Sequence, residues 1–309
     1  MKKRLLSLLL TLSMVVSFFP GMTLTASAAG DEAKWAVVDV GAAELEESAY
    51  INSGTLAAAF DAANGAEGSE VVYVKLVDSV TVDGTGFTLD AKKSMVLDLN
   101  QETIKSEGET STTIIVSGNL TVKNGSIVSN ATKYAAKGIE VKPEAVLTVT
   151  DCEISASNTG ANLAYGIYAN GATVTVSGGT IKASTVSNTA NGLAVLGTSN
   201  GTVKDGCIIE TTSKEEVSYA IQAGGSASLT VENSTLKAVL DDATKRACGI
   251  SNSTTTPVVI KGNTVISGGS ADISLFAPTA TINAADYTGD SVIEIGYSSG
   301  KAGRVIFPM

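Results

Sequence analysis

An apolar–polar–apolar triplet, a tight-turn pair and a large aliphatic residue recur in that order along most of this chain. The copies are Leu120-Thr-Val-Lys-Asn-Gly-Ser-Ile127, Leu147-Thr-Val-Thr-Asp-Cys-Glu-Ile154, Val174-Thr-Val-Ser-Gly-Gly-Thr-Ile181 and Gly201-Thr-Val-Lys-Asp-Gly-Cys-Ile208. Leu229-Thr-Val-Glu-Asn-Ser-Thr-Leu236 and Val258-Val-Ile-Lys-Gly-Asn-Thr-Val265 continue the series, and Leu97-Asp-Leu-Asn-Gln-Glu-Thr-Ile104 precedes it. Successive steps are 23, 27, 27, 27, 28 and 29 residues. A second phrase is interleaved at the same spacing: Gly138-Ile-Glu-Val, Gly166-Ile-Tyr-Ala, Gly192-Leu-Ala-Val, Ala220-Ile-Gln-Ala, Gly249-Ile-Ser-Asn and Asp272-Ile-Ser-Leu. Alternation at period two is the signature of a strand with one buried face. Asn124-Gly125, Gly178-Gly179 and Asp205-Gly206 are the residue types that tolerate positive φ in a turn.

Each unit therefore predicts three short strands, and no unit can bury its own apolar face. The remedy is stacking, each strand pairing in parallel with its equivalent one coil on. The fold expected is an all-β parallel solenoid of about eight coils, right-handed because parallel crossovers overwhelmingly are. Its inward columns would be Leu120, Leu147, Val174, Leu229 and Val258; Val122, Val149, Val176, Val203, Val231 and Ile260; Ile127, Ile154, Ile181, Ile208 and Leu236; and Ile139, Ile167, Leu193, Ile221 and Ile250. Gly201 and Glu210 break the column pattern and predict a bulge in their coil. Ser53 to Ala63 reads as a capping helix with Ser53 as N-cap and Asn64-Gly65 as stop, followed by strands Val71–Leu76 and Val80–Val82. Val292–Ile295 and Val305–Phe307 are strand-like, and whether the solenoid is complete at Met309 stays open.

Lys2, Lys3 and Arg4, an apolar run from Leu5 to Phe19 and the small-x-small site Ala26-Ser27-Ala28 read as a signal peptide over 1–28, cleaved after Ala28. Residues 29–52 form a segment with a short strand, and 53–309 the solenoid with its capping helix. No later stretch approaches the about 18 apolar residues that span a bilayer, so the expectation is an extracellular monomer with no membrane insertion. The net charge of −10 becomes more negative once three of the 21 basic residues leave, which argues against nucleic acid as a partner. There is no histidine. Ser/His/Asp chemistry, an imidazole base and histidine-ligated zinc are thereby excluded. Cys152, Cys207 and Cys248 are an odd number; the first two are about two coils apart, beyond disulfide reach, so free packed thiols are expected.

A strand, an Asn-Gly or Asp-Gly turn, a strand, a long loop, a Gly-Ile strand and a short bend resemble the right-handed parallel β-helix of the pectate-lyase-like superfamily. The Leu56-Ala-Ala-Ala-Phe60 helix, Val71-Val-Tyr-Val-Lys-Leu76 and Val96-Leu-Asp-Leu-Asn-Gln-Glu-Thr-Ile104 are similar to secreted and surface β-helix proteins of Gram-positive anaerobes. The resemblance covers roughly residues 53 to 290. For a polygalacturonase-type hydrolase it implies paired aspartates and a Gly-His-Gly segment; Asp241-Asp242 is present and the histidine is not. For a lyase it implies carboxylates holding Ca²⁺ beside an Arg or Lys base. The outward residues of the Gly-Ile strands are Glu140, Tyr168, Ala194, Gln222, Ser251 and Ser274, a single carboxylate.

Two candidate sites follow. Tyr165 and Tyr219 occupy one position two coils apart, with Tyr168 on the strand between and Lys137, Glu140, Asn191 and Gln222 around them. Exposed tyrosines fringed by amides and charges suit the apolar face and hydroxyl edge of a sugar. The loop Asp241, Asp242, Lys245 and Arg246 offers acids and a base together, an alternative catalytic loop in which Ca²⁺ would be the only cofactor. The column Thr121, Thr148, Thr175, Thr202 and Thr230 is explained by strand propensity. The leading expectation is a secreted, non-catalytic, adhesin-like β-helix protein whose partner is a polysaccharide or cell-surface ligand, with no cofactor and no metal. A lyase or hydrolase of acidic polysaccharide and a structural spacer are the alternatives.

Overall fold

The computed structural model describes residues 33–38, 46–68, 70–242, 244–289, 293–297 and 302–305. The leader and its cleavage site lie outside them. Three parallel ladders run through the successive coils, as the repeat requires. The first carries Leu97, Val122, Val149, Val176, Val203, Val231 and Ile260 in register. All seven side chains are buried, while Thr121, Thr148, Thr175, Thr202 and Thr230 pair on the opposite face at intermediate exposure. The second ladder stacks Ile104, Ile127, Ile154 and Ile181. The third stacks Ile114, Ile139, Ile167, Leu193, Ile221, Ile250, Ile273 and Ile295, one rung for each of about eight coils.

The N-terminal end is closed by a small antiparallel unit. Strand β1 (Ala33–Val38) pairs antiparallel with β2 (Asn52–Gly54) and with β3 (Val71–Leu76). Helix α1 spans Leu56–Gly65 and buries Leu56, Ala59, Phe60 and Ala63 against the first coils, Phe60 stacking on Phe87 at 5.0 Å. The N-cap is Thr55, two residues later than expected: its hydroxyl accepts from the Ala58 amide at 3.2 Å, whereas Ser53 is committed to β2 opposite Lys34. The strand beginning at Val80 also runs further than expected, to Leu89. Near the C-terminus Ile293–Tyr297 pairs antiparallel with Ala302–Val305; Val292 and the 306–307 portion of the expected strands lie outside the described residues.

The coil around Gly201 departs from the expected register by one residue. Ile209, not Ile208, pairs with Ile181 and is fully buried; Ile208 faces out at 39% exposure. The turn from Val203 to Ile209 holds one residue more than that from Val176 to Ile181; Asp205 and Gly206 both take positive φ in it and Cys207 occupies the buried corner. Glu210 is thereby carried to the outer face beside Lys182, and Thr211 takes the inner position. The same extra turn residue makes Ile266, rather than Val265, the partner of Leu236. Gly201 itself faces the core without a bulge: a Cβ there would come 2.9 Å from Val195, whose methyls already fill the space.

The glycines of the Gly-Ile phrase have a packing cause. A Cβ at Gly138, Gly166, Gly192 or Gly249 would lie 2.2–2.7 Å from the Cγ2 methyl of Ile154, Ile181, Ile209 or Ile266 respectively. Where the phrase carries Ala220 instead, the equivalent position of the neighbouring ladder is Leu236, which has no branch at Cβ. Beside these glycines the interior narrows to small residues, Ala136, Ala156, Ala164, Ala183 and Ala190. In the first coils hydroxyls take their place: Ser111 Oγ lies 2.7 Å from Ser129 Oγ, and Thr113 Oγ1 donates to the Val128 carbonyl at 2.8 Å. Cys152, Cys207 and Cys248 are free and buried. Burial pushes the Cys152 thiol up to about 11 and the Cys207 thiol to about 12.

Candidate functional site

The third ladder presents two outward columns. One reads Thr112, Lys137, Tyr165, Asn191, Tyr219 and Cys248; the other Ile115, Glu140, Tyr168, Ala194, Gln222, Ser251 and Ser274. Parallel pairing thus brings Lys137, Glu140, Tyr165 and Tyr168 into one cluster. The two tyrosine rings meet edge-on, centroids 5.0 Å apart, and the Lys137 ammonium sits 4.9 Å from the Tyr168 centroid. The Glu140 carboxylate is held by Lys137 at 3.0 Å and by Lys142 at 2.8 Å. Burial alone would raise that carboxyl, but the Lys142 and Lys137 ammoniums outweigh it and hold its pKa below the ordinary glutamate value.

The three rings are less open than strand alternation implies. Tyr219 is 9% exposed and packs edge-on against Phe276 at 6.4 Å, so it belongs to the packing of the later coils. Tyr165 is half-buried, and desolvation, with Tyr168 beside it, pushes its phenol up to about 12. Tyr168 is half-buried and next to Ala194, a small residue. Asn191, between Tyr165 and Tyr219, is 1% exposed, and neither its amide nitrogen nor its oxygen has a partner. The phenol hydroxyls of Tyr165 and Tyr168 and the amide of Gln222 likewise make no hydrogen bond among the described residues.

The loop at 241–246 divides its members. Asp241 is exposed, its amide donating to the Ser213 carbonyl. Asp242 closes a local turn, its carboxylate accepting from Thr244 Oγ1 at 2.6 Å and from the Thr244 amide at 2.9 Å, and these bonds lower its pKa. Lys245 and Arg246 line a cleft of about 330 Å³ with Glu216, Val217, Thr244 and Ser270; neither aspartate lines it. The Arg246 guanidinium carbon lies over the Phe276 ring, 4.5 Å from its centroid.

Residue by residue, one ladder position explains why the cleft opens there. Asn158, Thr185 and Ser213 are register partners, and each ties down the loop of the coil before it by bonding the Tyr134, Asn162 and Asn188 carbonyls respectively. The next partner is Leu240, which has nothing to donate. Lys142, Phe276 and Glu216 are the residues of these two regions that sequence reasoning misses. The Asn–Thr–Ser–Leu interruption is the signal that could have pointed to the cleft. Among the described residues no group of three or more Cys, Asp or Glu side chains is placed to hold a metal.

A model of the right-handed β-helix region matches residues 114–285, more than half of the chain, and its matched span contains both the tyrosine cluster and the cleft. The chain belongs to the right-handed β-helix family. No curated protein and no solved structure matches it.

Proposed function

We propose that this chain is a secreted surface β-helix protein that binds polysaccharide through the outer face of its third ladder and leaves it chemically unchanged. One observation carries the reading: unused hydrogen-bonding groups lie beside an aromatic pair whose neighbouring carboxylate is already engaged by lysines. Gln222 offers an amide and Tyr165 and Tyr168 offer hydroxyls with no protein partner, while Glu140 is paired with both Lys137 and Lys142. The hydroxyl edge of a sugar is the kind of ligand that takes up such groups, whereas Asn191, at 1% exposure, is out of a ligand's reach. Catalysis is disfavoured by the same bonds. A carboxylate kept ionised by two ammoniums makes a poor general acid, and Asp242 is spent on its own turn.

The test is a glycan array probed with the mature chain and with Tyr168→Ala, combined with a search for unsaturated uronate products. Tyr168 is the position to change, because Tyr219 is part of the packing and its loss would disturb Phe276. Retention of a glycan by the wild type, lost in Tyr168→Ala and accompanied by no product, is expected. Product formation abolished by changes to Asp241, Asp242, Lys245 and Arg246 would mark a lyase instead.

A further inference from the structure

The cleft beside the 241–246 loop has a chemistry of its own. Its two cations are unpaired: Lys245 and Arg246 form no ion pair among the described residues, whereas Lys137 and Lys142 of the tyrosine cluster both bind Glu140. Arg246 is held in place, its guanidinium resting on Phe276, which in turn meets Tyr219. Stacking occupies one face of the guanidinium and leaves its N–H edge available for a bidentate acceptor. The hydroxyls lining the cleft are otherwise engaged. Ser270 Oγ accepts from the Ala247 amide and donates to the Ala247 carbonyl, and Thr244 Oγ1 donates to Asp242. What remains for a ligand is two cations, the Glu216 carboxylate and the Val217 side chain.

We propose that this cleft binds one sugar residue through an anionic substituent, a carboxylate or a sulfate ester, seated on Arg246 and Lys245, with Glu216 accepting from a ring hydroxyl. A volume of about 330 Å³ is at the lower end of small-molecule pockets and suits one ring rather than a chain segment. In a chain of net charge −10 the general field repels anions, so attraction has to be supplied locally, and these two side chains supply it. The proposal rests on the carbohydrate reading, since the anion is taken to be part of a glycan; the tyrosine cluster and this cleft are separate contacts with it.

The experiment uses the mature chain at low ionic strength and follows calorimetric titration with sodium glucuronate, glucose 6-sulfate, glucose and inorganic sulfate. Binding of glucuronate or glucose 6-sulfate, at least tenfold tighter than glucose and than inorganic sulfate, is expected. Arg246→Gln combined with Lys245→Gln should weaken it at least tenfold, with an unchanged far-ultraviolet circular dichroism spectrum. Tyr168→Ala should leave this single-sugar binding intact, which separates failure of the cleft from failure of the tyrosine face. Equal affinity for glucose, inorganic sulfate binding as well as the sugars, or a double variant that binds as wild type does would each overturn the proposal. Should the double variant misfold, Lys245→Gln alone, an exposed change, must still weaken binding measurably.

Discussion

Two stretches of the same sheet face differ more in chemistry than in backbone. Around Lys137, Glu140 and Tyr168 the charged groups are drawn into ion pairs, and the neighbouring loops are tied by the side chains of Asn158 and Thr185. Around Arg246 the tie is lost at Leu240, a cleft opens, and two cations share it with one carboxylate, Glu216, without forming an ion pair among the described residues. The ladders pass through both stretches with the same register pattern, so the coil supplies only position. What distinguishes the regions is a few side chains at loop bases.

If one continuous core supports both regions, breaking it should abolish both. Ile181→Asp places a carboxylate at a position 1% exposed, midway along the stack, and is expected to cost several kcal/mol, measured as loss of cooperative thermal unfolding and of secretion. Unchanged unfolding would detach the two regions from a shared core.

Gly166→Ala should come next, at about 1–3 kcal/mol, because its Cβ would lie 2.3 Å from the Ile181 methyl and 2.6 Å from the Gly192 carbonyl oxygen. Combining it with Ile181→Leu, the pairing that Ala220 and Leu236 already use, should recover part of the loss in a double-mutant cycle by chemical denaturation. Strict additivity would show that the carbonyl, not the methyl, demands the glycine.

Thr185→Val removes one loop tie and should cost about 1 kcal/mol, with faster proteolysis near Asn162. Leu240→Asn should do the reverse, slowing cleavage in the 214–216 loop of the coil before it, on the Glu216 side of the cleft. Equal protease sensitivity in all three proteins would mean that the ladder position does not govern the loop.

The smallest effect is expected from pH. Glu140 has its pKa lowered in the folded chain, so its stabilisation is present above the ordinary glutamate pKa and fades as pH falls through the lower folded value. Glu140→Gln should flatten that part of the stability profile. An identical acid limb in wild type and variant would show that the Glu140 ion pairs contribute nothing measurable.

The coil architecture was legible because a solenoid repeats its reasons. Val122, Val149 and Val176 say the same thing three times, and stacking is the only burial they allow. Ile208 was misread for the same reason: an added turn residue is invisible to a template that slides along at fixed spacing, and the adjacent Ile209 gave no contrast. Thr55 lost to Ser53 as expected cap because the pairing of β2 with β1 is long-range. Strand alternation predicts exposed tyrosines, but Tyr219 is buried and Tyr165 and Tyr168 half-buried, because Phe276 and Lys137 reach them from another rung or another column. The cleft was less legible still, since it follows from an absent hydroxyl at Leu240 rather than from any residue that carries chemistry.

The most direct measurement is glycan retention by the mature chain compared with Tyr168→Ala, both confirmed as folded by thermal unfolding. Binding to at least one polysaccharide that falls tenfold or more in Tyr168→Ala is the predicted result. A wild-type chain that retains no glycan, or a Tyr168→Ala chain that binds equally well, would contradict it.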